Sequence, residues 1–94
     1  MNISIVIPVF NGSKTIEILA DKIKKNLKNA NYNFEIIFID DFSNDSSWDC
    51  IEKICIKEKY IKGIKLLSNF GQHNAIMAGL NYSNGDYIII MDDD

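Results

Sequence analysis

Three adjacent carboxylates, Asp92-Asp93-Asp94, follow five apolar residues, Tyr87-Ile88-Ile89-Ile90-Met91. Side by side, such acids repel one another unless a positive charge joins them. A hard divalent cation such as Mg²⁺ or Mn²⁺, which takes oxygen ligands, is the natural candidate. The rival reading is a solvated acidic chain end, since terminal residues tend to fray; the apolar run directly before the acids weighs against it. A second acidic pair, Asp40-Asp41, closes another apolar run at residues 34–39. An acid at such a strand end can accept hydrogen bonds from a ribose or a base. It can equally cap a turn, and taken alone the pair favours that blander role. Phe10, Phe42 and Phe70 each stand in a loop after an apolar run, where an aromatic ring either packs or stacks on a base. The lone His73, flanked by Gln72 and Asn74, reads as a structural hydrogen-bonding residue.

The elements that must position these residues follow from hydrophobic periodicity. Residues 3–7, Ile-Ser-Ile-Val-Ile, read as a strand that Pro8 should end, because proline has no N–H for a ladder. Ile16, Leu19, Ala20, Ile23 and Leu27 share one helical face, so a helix starts at Ser13 or Thr15. Residues 34–39 form a second strand. Asp45 or Ser46 caps a second helix with Trp48, Ile51, Ile54 and Cys55 inward. Residues 61–67, interrupted by Gly63, give a third strand. A third helix over residues 72–83 packs through Ala75, Ile76, Gly79 and Leu80, and Asn84-Gly85 stops it. The last apolar run, rich in β-branched isoleucine, reads as a strand buried on both faces. The order β-α-β-α-β-α-β predicts an α/β fold, a mostly parallel sheet with helices on both faces. Ligands of such sheets sit outside the carboxyl ends of the strands, near a switch in strand order. Residues 8–11, 40–42, 68–71 and 92–94 all fall on that edge and are read together as one site.

Composition narrows the classes. With 94 residues, 47% hydrophobic and 24% charged, the chain is one small globular domain. A net charge of −3 gives no broad basic surface for a nucleic acid. All ten basic residues are lysines, so a phosphate clamp here must use Lys, backbone N–H groups or a metal. Cys50 and Cys55 lie five apart on one helix and supply no metal quartet; they read as reduced thiols, at least one of them in the core. No signal peptide is legible and no apolar run nears the ~20 residues of a membrane span, so a cytoplasmic location is the default. The first turn, Pro8-Val9-Phe10-Asn11-Gly12-Ser13, is not the Gly-x-Gly-x-x-Gly of a dinucleotide site, and no Walker A sequence is present.

Four ordered stretches carry a resemblance: Ser4-Ile5-Val6-Ile7-Pro8-Val9-Phe10-Asn11, Ile39-Asp40-Asp41-Phe42-Ser43-Asn44-Asp45-Ser46, Asn69-Phe70-Gly71-Gln72-His73-Asn74-Ala75-Ile76-Met77-Ala78-Gly79-Leu80, and Met91-Asp92-Asp93-Asp94. Together they resemble glycosyltransferase family 2 with the Rossmann-like GT-A fold. The third stretch is similar to the polyprenyl-phosphate branch, which includes dolichol-phosphate mannose synthases and undecaprenyl-phosphate sugar transferases. The resemblance implies that Pro8, Val9, Phe10 and Asn11 line a nucleotide-sugar pocket, that Asp41 bonds the base with Asp40 beside it, and that Asn69 and Gln72 border the donor. It implies that Asp92-Asp93-Asp94 is the D-x-D motif, Asp92 and Asp94 binding Mg²⁺ or Mn²⁺ and the donor diphosphate as the catalytic pair, with Asp93 beside them. Phe42 stands where the family often has Gly, and Asp93 where a small residue is usual.

The implied reaction moves a sugar, with inversion, from a UDP- or GDP-linked donor to a polyprenyl phosphate at the cytoplasmic membrane face. Family members continue past the D-x-D motif, so residues 1–94 are expected to be the N-terminal, nucleotide-sugar-binding part of a GT-A domain, truncated there, with the acceptor site in a missing C-terminal part. Two other classes remain open at this point: an inactive or nucleotide-binding-only fragment, and a receiver-like signalling domain using the acids at its strand ends.

Overall fold

The computed structural model describes residues 2–92. Four parallel strands, β1 (Asn2–Val9), β2 (Asn33–Asp40), β3 (Ile61–Lys65) and β4 (Tyr87–Ile90), alternate with helices α1 (Ile16–Asn29), α2 (Ser47–Lys57) and α3 (Gln72–Tyr82). The sheet order is β3-β2-β1-β4. The chain therefore walks outward from β1 to β3, then doubles back across β1 to lay down β4. Right-handed crossovers put helices on opposite faces when the direction of travel reverses. Accordingly α1 and α2 cover one face, over Ile3, Ile5, Ile7, Ile36 and Phe38. α3 covers the other, where Ala75 packs on Val6, Ile37 and Ile39. This order excludes the receiver-like alternative, whose sheet places β1 between β2 and β3.

Three local findings explain how these residues make these elements. Helix α1 ends in a Schellman motif: Asn31, at φ 63°, donates its N–H to Lys28, and Tyr32 donates to Leu27. Gly63 does not interrupt β3; it pairs with Phe38 and lets α2 approach, since a Cβ there would lie 2.6 Å from Ile51 Cγ2. Gly79 does the same for α3, where a Cβ would meet Val6 Cγ1 at 2.5 Å and Ile39 Cδ1 at 2.6 Å.

Four expectations are corrected. Pro8 does not end the first strand, which runs to Val9 with Pro8 opposite Ile39. Even-numbered residues of β1 point their backbone groups toward β4, as the bonds from Asp86 N–H to the Asn2 carbonyl and from Met91 N–H to the Val6 carbonyl show. The missing N–H of Pro8 faces that side, where the β1–β4 pairing stops at Val6 with Ile90, while the pairing with β2 carries β1 on through Val9. The last strand is not buried on both faces: Tyr87, Ile88, Ile89 and Ile90 are 43–58% exposed. Among the described residues β4 is an edge strand, paired to β1 alone. The third strand also stops at Lys65 rather than at residue 67. Cys50 and Cys55 are free and half-buried at the margin of the α1–α2 core rather than inside it. Among the described residues, no helix is long and apolar enough to cross a membrane.

Candidate functional site at the switch point of the sheet

Strand order reverses at β1, between β2 and β4, and the crevice at the carboxyl ends there is where open α/β sheets bind ligands. The loops after β1 and β2 are laced together at this point. Asn11, at φ 53°, donates its N–H to Ser43 Oγ at 2.9 Å and accepts the Asn44 N–H on Oδ1 at 2.8 Å. Gly12 N–H donates to Ser47 Oγ at 2.9 Å, and Ser13 N–H to Asp45 Oδ2 at 3.2 Å. Asp45 Oδ1 in turn accepts the Ser47 N–H at 2.9 Å and the Ser47 hydroxyl. Burial pushes the Asp45 carboxyl up, but the Ser47 hydroxyl and N–H and the Ser13 N–H outweigh it, holding the acid below the usual carboxylate range. Asp45 thus serves the turn before α2; Ser46, in the N-cap position, makes no side-chain cap bond.

The acidic pair divides between the two faces of the sheet. Asp40, 1% exposed, accepts the Ser43 hydroxyl on Oδ1, on the side of α2. Asp41, 5% exposed, turns the other way. Its Oδ1 accepts the Phe70 N–H at 3.0 Å and its Oδ2 the Gly71 N–H at 3.1 Å. A buried carboxylate costs much unless donors reach it, and here two successive backbone N–H groups of the β3–α3 loop do so. Asn69 Oδ1 also accepts the Gly71 N–H, at 3.1 Å. Around this anchor Phe10, Phe42 and Phe70 remain about half exposed, available to a flat ligand. Phe42 holds φ 59°, a left-handed conformation that favours glycine.

At the end of β4, Gln72 Nε2 donates to Asp92 Oδ1 at 2.8 Å, joining the first turn of α3 to the first residue of the acidic run. Asp93 and Asp94 lie outside the described residues. Among the described residues no group of three or more His, Cys, Asp or Glu side chains is gathered for a metal. Asp92 itself suits a hard cation: it is an exposed carboxylate at the switch point with an amide on one oxygen.

The structure therefore brings Asn11, Asp40, Asp41, Asn69, Gln72 and Asp92 to one edge, with Pro8, Val9 and Phe10 at the end of β1. Four of these side chains are engaged within the loops, Asn11 on Asn44, Asp40 on Ser43, Asn69 on Gly71, and Asp41 on Phe70 and Gly71, and the other two, Gln72 and Asp92, bond each other. Sequence reasoning missed the lacing by Ser43, Asn44, Asp45 and Ser47. The signal was present as a run of turn-forming Ser, Asn and Asp side chains, but nothing in it names the partner loop.

A parallel sheet of order β3-β2-β1-β4, with an acid-rich switch point, defines a Rossmann-like α/β domain. The family profile of Glycosyl transferase family 2 matches residues 4–94, and the chain belongs to that family. It is 38% identical over 93 residues to an undecaprenyl-phosphate 4-deoxy-4-formamido-L-arabinose transferase of Proteus mirabilis (strain HI4320), covering 98% of this chain and 28% of that protein. The chain thus spans less than a third of the length of this relative. Among solved structures, S. aureus TarS 1-349 in complex with UDP superposes with a TM-score of 0.83 at 26% identity, covering 100% of this chain and 28% of that one. The mannosyltransferase PcManGT of Pyrobaculum calidifontis, solved with GDP-Man and Mn²⁺, gives 0.85 at 18% identity over 98% of this chain and 27% of its own, a likeness of fold.

Proposed function

We propose that these residues are the donor-binding part of a metal-dependent, inverting glycosyltransferase that moves a sugar from a nucleoside-diphosphate donor to a polyprenyl phosphate. The observation that carries this reading is the Gln72–Asp92 contact, which draws the acidic strand end to the switch point beside the Asp41-anchored loop. The 38% identity to an undecaprenyl-phosphate sugar transferase supports the acceptor class, and the likeness to a UDP-bound structure supports the donor class.

In this reading Phe10 and the half-exposed Phe42 and Phe70 flank the base, and residues 8–11 form the floor of the pocket. Asp41 acts at the base end and fixes the β3–α3 loop with both oxygens, with Asp40 holding the turn behind it. Asn69, Gln72 and Asp93 border the donor. Asp92 and Asp94 hold Mg²⁺ or Mn²⁺. When bound, the cation neutralises charge on the leaving diphosphate, a role that no arginine of this chain can take. The acceptor phosphate is already anionic, so its oxygen can attack the anomeric carbon, opposite the leaving diphosphate, with little help from a general base.

The exposed apolar faces of β4 fit a domain whose sheet and acceptor site continue in further chain, with transfer taking place at the cytoplasmic face of a membrane. A second reading, nucleotide binding without transfer by the 94 residues alone, is favoured by their 28% share of the relative's length.

Calorimetric titration with UDP and GDP, with and without Mn²⁺, tests the donor site. Metal-dependent binding that Asp92→Ala weakens by about tenfold or more, about 1.4 kcal/mol, is expected. A folded, monodisperse chain that binds neither nucleotide overturns the proposal. Transfer of labelled sugar to a polyprenyl phosphate by these residues alone would dismiss the second reading.

A further inference from the structure

We infer that Gln72 is a positioning residue for Asp92, holding one oxygen of that carboxylate so that the acid is presented to a divalent cation in a fixed orientation. The inference rests on the reading above that Asp92 is a metal ligand. It goes further in giving Gln72 a role toward the acid in addition to its place at the border of the donor.

Asp92 lies two residues beyond β4, an edge strand that is exposed along its length and, among the described residues, bonded to β1 alone. Its own backbone therefore does little to fix its side chain. Gln72, by contrast, rises from a clamped base. The preceding Phe70 and Gly71 N–H groups are held by the buried Asp41, and the Phe70 carbonyl accepts Asn74 Nδ2 at 2.7 Å. The body of α3 is pressed on Val6 and Ile39 at Gly79, where a Cβ does not fit. A 2.8 Å bond from Gln72 Nε2 to Asp92 Oδ1 thus fastens the less supported partner to the better supported one.

The residue type matters as much as the contact. A neutral amide donates to a carboxylate without a charge of its own. A lysine in the same place would pair with Asp92 and repel the cation. Gln72 orients the acid and leaves its full negative charge for the metal, as the partners of metal ligands do elsewhere.

Gln72 is the sole glutamine of the chain, so ¹⁵N-glutamine labelling reports on one side-chain amide. Mn²⁺ added to the labelled protein with UDP is expected to broaden that signal at sub-stoichiometric metal. Mn²⁺ affinity, read from the electron paramagnetic resonance of the free ion, is expected to fall about tenfold in Gln72→Leu and further in Gln72→Lys. A folded Gln72→Leu protein with wild-type Mn²⁺ affinity, or a wild-type Gln72 amide left sharp while Mn²⁺ binds, overturns the inference and leaves the donor-site reading standing. No Mn²⁺ binding by the wild-type protein removes Asp92 as a metal ligand and this inference with it. Should Gln72→Leu fail to fold, the amide signal of the wild type decides alone.

Discussion

The two ends of the sheet each carry a network built on carboxylates, and the networks do different things. At the amino end, Glu35 gathers donors from every neighbouring strand: the Ser4 hydroxyl, the Lys62 ammonium at 2.7 Å and the Asn84 N–H at 2.7 Å, while Gly85 N–H donates to Ser4 Oγ at 2.7 Å. β1, β2, β3 and the turn before β4 close on one acid, and the network is complete in itself. At the carboxyl end, Asp40, Asp41 and Asp45 hold loops in place, and half-exposed aromatic rings and the exposed Asp92 stand around them. A closed network fixes the arrangement of strands. An open one of rigid loops is what a ligand site needs.

This contrast can be broken from either end. The largest expected effect is that of Asp41→Ala, which leaves two N–H groups of the β3–α3 loop without their acceptor. At about 1.5–3 kcal/mol for each bond to a charged group, the loss is about 3 kcal/mol or more in urea denaturation, with nucleotide affinity lost as well. Next comes Gly85→Ala, whose Cβ would lie 2.6 Å from both Ser4 N and Ser4 Oγ. Overpacking of this kind costs about 1–3 kcal/mol, and because the clash is at the closed end, UDP affinity of the folded protein should stay the same.

The pH dependence sharpens the same distinction with a smaller effect. Burial pushes the Glu35 carboxyl up, but Lys62, Ser4 and the Asn84 N–H together bring it below its ordinary value of 4.5. A depressed folded-state pKa contributes stability that is present above the ordinary value and is lost as pH falls through the folded one. The urea midpoint should therefore drop on acidification below about pH 4.5, and Glu35→Gln should flatten part of that drop. The smallest effect is a gain: Phe42→Gly should relieve a left-handed non-glycine conformation, raising stability by about 1 kcal/mol. If Phe42 stacks on the base, the same change lowers nucleotide affinity.

Much of this was legible in the sequence because the alternation of periods 2 and 3.6 depends on local residues. All seven elements fall where the apolar runs and helical faces predict them. What failed were properties set by neighbours. Residues 87–90 are as apolar as residues 3–7, yet one run lies at an edge and the other in the middle, and no periodicity states strand order. Pro8 reads as a stop for the whole strand, but its missing N–H faces β4 only and leaves the pairing with β2 intact. At the site, Asp40, Asp41, Gln72 and Asp92 were singled out by position. Their partners were not, because Gln72 and Asp92 are twenty residues apart and meet only once α3 has crossed behind the sheet.

The most direct test of the account is to map UDP with Mg²⁺ onto the backbone amides of the ¹⁵N-labelled protein. Shifts are expected to be confined to the carboxyl edge, at Phe10 and Asn11, Asp40 to Phe42, Asn69 to Gln72 and Asp92, with Glu35 and Gly85 unmoved. The competing surface is the roughly 310 Å³ groove between α1 and α2, lined by Glu17, Asp21, Lys53 and Lys57. Shifts centred there, or at the Glu35 end, would contradict the assignment of the switch point as the donor site.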